Sequence, residues 1–382
     1  MEDQKIEILT LPEVRQAIEQ NIERDHNAIA LDKRIPHARE VATQVKYLQR
    51  ARRKLPSYYQ ARAILPSLAF EQSSSEECAA HKEYSGALAV DLTCGLGVDT
   101  LYLSRRFERV ISIERNPTLA EITRHNLHLL GADNVEVVCG SSEEFIEGLD
   151  HADLIYIDPD RRGAEGKKMV CLEDCSPNVA ALWNTLREKA DRVVVKLSPM
   201  FDLTAAMVAF GGEVDVEVVS LGGECKEVVV HWEKGRTHAP LFRATALGSG
   251  TFEAPAEREA PQSLVGFEGR DYRYLVVPDA SLRKAALVAE WCHSERLDHW
   301  GPYGFSHTEP TTTMGRTYEI EQTLPYRPKQ LKPLIDKKIE LIRHSFPLGS
   351  AAICKALGTR EGGGQRWAFG EIERGLWAFR LK

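Results

Sequence analysis

Three stretches of this chain hold the residue types that nucleoside chemistry uses. The first is Asp91-Leu-Thr93-Cys-Gly95-Leu-Gly97-Val-Asp-Thr100. It follows the apolar run Gly86–Val90 and precedes Leu101–Phe107, so it reads as a strand, a glycine-rich turn and the start of a helix. Glycines at 95 and 97 let backbone N–H groups approach a ligand where a Cβ would block it. A dinucleotide-binding turn of the type G-x-G-x-x-G needs a third glycine at 100, where this chain has threonine, and it rarely places an acid where Asp91 stands. The second stretch, Val110-Ile-Ser-Ile-Glu114, ends 17 residues after Gly97. A carboxylate at that strand end can accept both hydrogen bonds of a ribose diol. Taken alone, Glu114 is equally an exposed acid closing a strand. The third is Asp158-Pro-Asp160-Arg161-Arg162-Gly, closing the run Leu154–Asp158. Asp158 or Asp160 can orient or deprotonate an acceptor group. Arg161 and Arg162 can clamp a phosphate or carboxylate, or simply pair with Glu173 and Asp174.

These residues need a scaffold, and the chain supplies its rhythm. Candidate strands fall at Ala87–Asp91, Arg109–Glu114, Val135–Cys139, Leu154–Asp158, Arg192–Leu197, Val216–Ser220 and Glu227–Trp232, with helical patterns between the first five. That is a doubly wound α/β sheet of seven strands. Each motif falls at a strand's C-terminal end, where such sheets bind ligands. The third strand ends in Cys139-Gly140-Ser141-Ser142, where Ser141 either contacts a ligand or caps the next helix. Residues 1–80 form a helical N-terminal region. Within it, eight Lys/Arg between Arg34 and Arg62 interleave with Tyr47, Tyr58 and Tyr59. This is either a phosphate-binding face with stacking aromatics or a solvated helix face paired with acids. Residues 81–235 hold the sheet. A linker or exposed hairpin then leads into a small α+β region, with a strand at Tyr272–Val277, a helix at Ser281–Cys292, a strand at Thr317–Leu324, helices at Pro328–Lys338 and Leu348–Leu357, and two strands over Gln365–Leu381.

The bulk numbers narrow the field. At 382 residues the chain can bury a large core in two or three domains. A net charge of −7 argues against wholesale electrostatic binding of nucleic acid, though not against a local basic face. The polar N-terminus lacks a signal peptide's apolar core, and no run reaches the length of a membrane span, so a cytoplasmic location is expected. The eight cysteines read as reduced thiols, and the His and Cys spacings support no metal site.

Acid-x-x-x-Gly-x-Gly at 91–97 resembles the first motif of class I S-adenosylmethionine (SAM) methyltransferases. The resemblance implies SAM as cofactor, held by Asp91, Thr93, Gly95, Gly97, Glu114, Ser141 and Asp158, with Asp158, Asp160 and Arg161 at the acceptor. Gln72 and Ser74, ahead of the first strand, can touch the methionine end or cap a helix. Asp-Pro-Asp-Arg departs from the Asp/Asn-Pro-Pro-aromatic of amino-methylating enzymes, because Asp160 and Arg161 replace the second proline and the stacking ring. Asp-Pro-x-Arg is also similar to a uracil-C5 methyltransferase motif. That chemistry needs a cysteine nucleophile near the end of the next strand, where this chain has Leu197. Together with Gln72-Ser-Ser-Ser and Tyr274-Leu-Val-Val-Pro-Asp-Ala280, these motifs resemble a group of bacterial class I SAM methyltransferases with a THUMP-like C-terminal domain, found in Bacteroidetes and relatives. The resemblance implies a Rossmann-like methyltransferase sheet, a ferredoxin-like module within 236–313, a THUMP-like module at 314–382 and an RNA substrate, tRNA or rRNA. A small-molecule or protein methyltransferase, and an RNA-binding module without turnover, remain open, and oligomeric state is not readable.

Overall fold

A computed structural model of the chain describes residues 3–161, 172, 175–259, 261 and 264–382. Arg162, Cys171, Glu173 and Asp174 lie outside the described residues, as does the side chain of Arg161. The chain divides into two compact units, residues 1–214 with 228–238, and residues 215–227 with 239–382.

The first unit opens with seven helices: α1 (Asp3–Thr10), α2 (Pro12–Asn21), α3 (His26–Leu31), α4 (Ala38–Lys54), α5 (Pro56–Gln60), α6 (Ser67–Gln72) and α7 (Glu76–His81). Apolar residues on the inner faces of the first five, such as Val14, Ile18, Val45 and Leu48, are buried. They share one core with Leu96, Leu101, Ile122 and Leu127. The helical region is therefore a wall of the α/β unit. Polar ties fix it there: Asn126 exchanges two hydrogen bonds with the Ile64 backbone (2.8 and 2.9 Å), and the Tyr58 hydroxyl donates to Leu96 O at 3.1 Å.

The α/β alternation then follows as β1 (Gly86–Asp91), α8 (Val98–Ser104), β2 (Phe107–Glu114), α9 (Pro117–Leu129), β3 (Val135–Cys139), α10 (Ser142–Gly148), β4 (Ala152–Ile157), the short pair β5 (Asp160–Arg161) and β6 (Cys175–Ser176), α11 (Val179–Glu188), β7 (Ala190–Leu197) and α12 (Leu203–Ala209). β8 (Asp215–Leu221) and β9 (Glu224–Glu233) come next in the chain. Within the first unit the strand order is β9-β7-β4-β1-β2-β3. The strands run parallel except β9, which is antiparallel to β7. The order reverses between β1 and β4, which opens a crevice at their C-terminal ends. The centres of β4 and β7 are buried on both faces, as a parallel sheet sandwiched by helices requires.

In the second unit β8 pairs in parallel with β10 (Leu241–Ala246), which turns through Gly248 into the antiparallel β11 (Gly250–Pro255). Of the linker or exposed hairpin expected after residue 235, residues 241–255 form a hairpin. Beyond it lie β12 (Tyr274–Pro278), α13 (Ala280–Lys284), α14 (Val288–Ser294), β13 (Asp298–Trp300), β14 (Tyr303–Ser306), β15 (Gly315–Pro325), α15 (Pro328–Leu331), β16 (Lys338–Arg343), α16 (Ser350–Leu357), β17 (Arg360–Glu361), β18 (Gln365–Ile372) and β19 (Gly375–Leu381). They form one eight-stranded sheet ordered β13-β14-β12-β15-β19-β18-β16-β17. The long β15 joins its halves, pairing with β12 through Gly315–Glu319 and with β19 through Ile320–Pro325, across an irregularity at Ile320/Gln322.

Two helices expected from periodicity are shorter here. The segment 281–292 breaks into α13 and α14 at Ala286, which takes a left-handed φ of 54°. The segment 328–338 keeps one turn of α-helix and a 3-10 turn ending at Leu334, because Pro333 has no N–H to extend it, and Lys338 already belongs to β16.

Candidate functional site

The crevice beyond β1, β2 and β4 is a cavity of about 1000 Å³ in the first unit. Asp91, Thr93, Gly95, Glu114, Ser141, Asp158 and Asp160 all line it. Residues 91–100 span from the end of β1 into α8, and their own side chains shape the turn. Asp91 is buried, accepting from the Thr93 amide at 2.9 Å and the Thr100 hydroxyl at 2.6 Å. Burial pushes its carboxyl up to about 7, against those two hydrogen bonds, with the Asp99 and Asp158 charges adding to the rise. Thr93 also ties the turn to the third motif, its hydroxyl accepting from the Asp158 amide at 2.6 Å.

Gly95 (φ +53°) faces the cavity with only one neighbouring atom within 4 Å of where a Cβ would stand, the Thr93 carbonyl oxygen. Gly97 does not line the cavity. It precedes α8 with φ +79°, and a Cβ there would stand 2.7 Å from Thr123 Cγ2. The two glycines thus face different demands, open cavity space at 95 and a tight packing contact at 97.

Glu114, at the end of β2, accepts from the Gly95 amide at 3.0 Å through Oε2 and from the Asn116 amide at 2.8 Å through Oε1. Burial raises its pKa, with these two bonds opposing. Each oxygen retains lone-pair capacity toward the cavity. Ser141 caps α10, accepting from the Glu144 amide at 3.2 Å, and also donates to Glu143 at 3.0 Å. The capping alternative read from sequence is the geometry present, with the residue still at the cavity wall. Ser142, which the sequence reading passed over, donates to Leu92 O at 2.5 Å and lines the same wall.

Just beyond β4, Asp158 pairs with Lys196 of β7 (Oδ2–Nζ 2.5 Å), whose side chain is 12% exposed. Asp160 opens the β5/β6 pair and lies 3.6 Å from Arg115, which also donates to Ser176 at 2.8 Å. Arg115 was not singled out in the sequence. A second buried ion pair was also missed: Lys82 sits 3.0 Å from Asp99, which accepts from Ser74 at 2.8 Å. Burial opposes ionisation of Asp99, yet the Lys82 and Lys196 charges hold its pKa below the ordinary value. Ser74 therefore reaches the turn through Asp99. Asp99 lies inside the glycine-rich motif and was the available sequence signal.

Half of the basic stretch of the N-terminal region, four of its eight Lys/Arg, resolves as pairs with acids. Arg34 pairs with Asp32, Arg50 with Glu71, Arg52 with Glu23 and Arg62 with Glu19. Tyr47 and Tyr58 are buried, and Tyr59 lies beneath Arg52 and Arg62. Those rings are engaged in packing rather than presented as a stacking surface.

Comparison with known proteins agrees with this architecture. The family model described as RNA cap guanine-N2 methyltransferase matches residues 86–199, and that described as THUMP domain-like matches residues 315–379. The chain thus combines a methyltransferase-type domain with a THUMP-like C-terminal domain. Over nearly its whole length it is similar to a candidate methyltransferase of Porphyromonas gingivalis known from its crystal structure, at 26% identity and a TM-score of 0.83, covering 97% of each chain. Shorter similarities reach an uncharacterized RNA methyltransferase of Oceanobacillus iheyensis, 32% identical over 83 residues, and a tRNA/tmRNA (uracil-C(5))-methyltransferase of Nitratiruptor, 33% identical over 106 residues. These stretches take in 20% and 22% of this chain, and 18% and 29% of the two relatives. Among the described residues no helix is long and apolar enough to cross a membrane.

Proposed function

We propose that the protein is a SAM-dependent methyltransferase acting on structured RNA, tRNA or rRNA, in the cytoplasm. The observation that carries this reading is the convergence of Gly95, Glu114 and Asp158 on one cavity at the point where the parallel sheet reverses its strand order. The residues fit the cofactor. Gly95 leaves space beside the turn, Glu114 is held by two backbone amides with acceptor capacity left for a ribose diol, and Asp91 offers negative charge beneath the turn for an ammonium group. SAM, when bound, supplies a methyl group activated by a sulfonium. The protein's own contribution is then mainly alignment of the acceptor. In this reading Asp158, held by Lys196 and by Thr93, orients an acceptor N–H or O–H and receives its proton.

Two positions favour a nitrogen or oxygen acceptor over uracil C5. Leu197 is buried at the end of β7, and Lys196 beside it is committed to Asp158. Cys94 lines the cavity, but burial holds its thiol far above the usual range, so it stays protonated and unreactive. RNA as the acceptor is supported by the THUMP-like match and by the names of the partial relatives.

The test is transfer of tritiated methyl from SAM to unmodified tRNA and rRNA transcripts, with protein and metabolite extracts in parallel. Label in one RNA fraction is expected. Label only in the extracts would overturn the RNA assignment, and absence of SAM binding by titration would overturn the enzyme assignment.

A further inference from the structure

The second unit holds a cavity of its own, about 600 Å³, lined by segments far apart in sequence: the β8–β9 turn at Gly222–Gly223, the start of α13, the start of β15 and the end of β16. Three arginines face it: Arg283, Arg316 and Arg343. We infer that this cavity is a phosphate-binding site, and that it takes a phosphate of the RNA strand, which rests on the RNA reading above.

The charge balance points that way. Two acids line the cavity, and both are engaged. Asp279 Oδ1 accepts from the Ser281 amide at 2.8 Å, from the Ser281 hydroxyl at 2.7 Å and from the Ser220 hydroxyl. Glu340 pairs with Arg366 at 2.7 Å. Arg316 and Arg343 are exposed, and among the described residues no carboxylate pairs with either. Arg343 makes one long contact, to Phe346 O at 3.3 Å. Arg283 is fixed by donating to Pro278 O. Burial lowers its pKa, with the Asp279 charge offsetting part of that loss, so a second anion would stabilise it. His344 reports the same potential. Burial first, and then the Arg283 and Arg343 charges, bring it down to about 4, so it is neutral at pH 7.

The shape fits a phosphate carried on a larger molecule. Guanidinium groups fork onto phosphate oxygens in pairs, which a point-charge ammonium cannot do. The Arg316 Nη2 atom lies 3.6 Å from where a Cβ of Gly223 would stand, and both turn glycines have positive φ (63° and 83°). The turn therefore presents bare backbone beside the guanidinium. The cavity has far more room than one phosphate needs, so the adjoining nucleoside can enter with it. A free nucleoside monophosphate shares this chemistry, and the experiment separates the two sources.

The experiment uses the full chain as wild type, Arg316→Gln, Arg343→Gln and the double variant. Binding of a fluorescein-labelled unmodified tRNA transcript is followed by anisotropy from 50 to 300 mM salt. Binding of AMP is followed by ³¹P NMR, and SAM affinity and the melting temperature serve as controls. With two phosphate contacts removed, the slope of log K against log[salt] should fall by about 1.4–1.8, and affinity at 0.1 M salt by more than about tenfold, with SAM affinity unchanged. An unchanged RNA slope with an AMP signal that is lost on substitution would keep the phosphate site and overturn its RNA occupant. If the wild type binds no RNA, the RNA reading itself fails, and the AMP arm still decides the site. No change in either arm, in variants that melt and bind SAM normally, would overturn the inference.

Discussion

Replacing Asp91 with asparagine should make the protein more stable while weakening its hold on SAM. The magnitude follows from burial. An aspartate in the unfolded chain titrates near 3.8, whereas Asp91, 1% exposed at the end of β1, titrates at about 7. The folded-state value is raised, so between these two values the folded protein binds a proton that the unfolded chain does not. Stability therefore falls as pH rises through that window, and the loss is complete above pH 7. At about 1.4 kcal/mol per pH unit the cost is about 4 kcal/mol at pH 8 and about 2 kcal/mol at pH 5.5. Asparagine approximates the neutral acid, keeps an acceptor for the Thr93 amide and carries no charge. Urea unfolding of both proteins at pH 8 and pH 5.5 should show the variant more stable, with the gain at pH 5.5 about half that at pH 8. SAM titration of the pH 8 samples, where Asp91 is ionised, should show a loss of about 1–3 kcal/mol, the value of a hydrogen bond to a charged group, and a smaller loss at pH 5.5, where the wild-type carboxyl is already neutral. A variant less stable at both pH values by the same amount would refute the reasoning, because Asp91 would then act only as a hydrogen-bonding brace for Thr93 and Thr100.

Glu114→Ala should weaken SAM binding by about 1–3 kcal/mol, and Glu114→Gln by less, since the amide keeps one acceptor; unchanged titrations in folded protein would remove Glu114 from the cofactor site. Gly97→Ala should destabilise the fold by about 1–3 kcal/mol, because φ is +79° and the new Cβ meets Thr123. Thermal melts should show partial recovery with Thr123→Ser, and no recovery would mean that backbone strain rather than the contact sets the cost. Lys196→Met should lower methyl transfer by at least about tenfold with SAM affinity within twofold, since it frees Asp158 from its ion pair. An equal loss in kcat and SAM affinity would instead assign Lys196 to cofactor binding.

Local sequence was informative wherever one element and its neighbour set the outcome. All seven strands expected between residues 87 and 232 are present, because each is a short apolar run bounded by helical patterns or turns. The two strands over Gln365–Leu381 were legible as well, and they are β18 and β19, paired antiparallel across the turn at Glu373–Arg374. Longer patterns were less secure. Residues 281–292 and 328–338 have helical spacing, but a left-handed residue at Ala286 and a proline at 333 cut them short. The basic run Arg34–Arg62 showed its charge but not its partners, since Glu19, Glu23 and Glu71 come from helices brought alongside only by packing.

The sequence by itself determined the α/β class, the glycine-rich turn and the carboxylates at three strand ends, because spacing along one strand–turn–helix fixes where a side chain emerges. Only the tertiary structure decided what each group experiences. Burial beneath the turn, rather than the identity of Asp91, raises its carboxyl. The approach of α9, rather than the motif, makes Gly97 a packing position. Lys82 with Asp99 and Lys196 with Asp158 become ion pairs through chain returns that no local pattern encodes. The arginine-lined cavity of the second unit is the extreme case. Arg283, Arg316 and Arg343 stand about thirty residues apart in sequence, and only the pairing and packing of the second unit's sheet give them a common space.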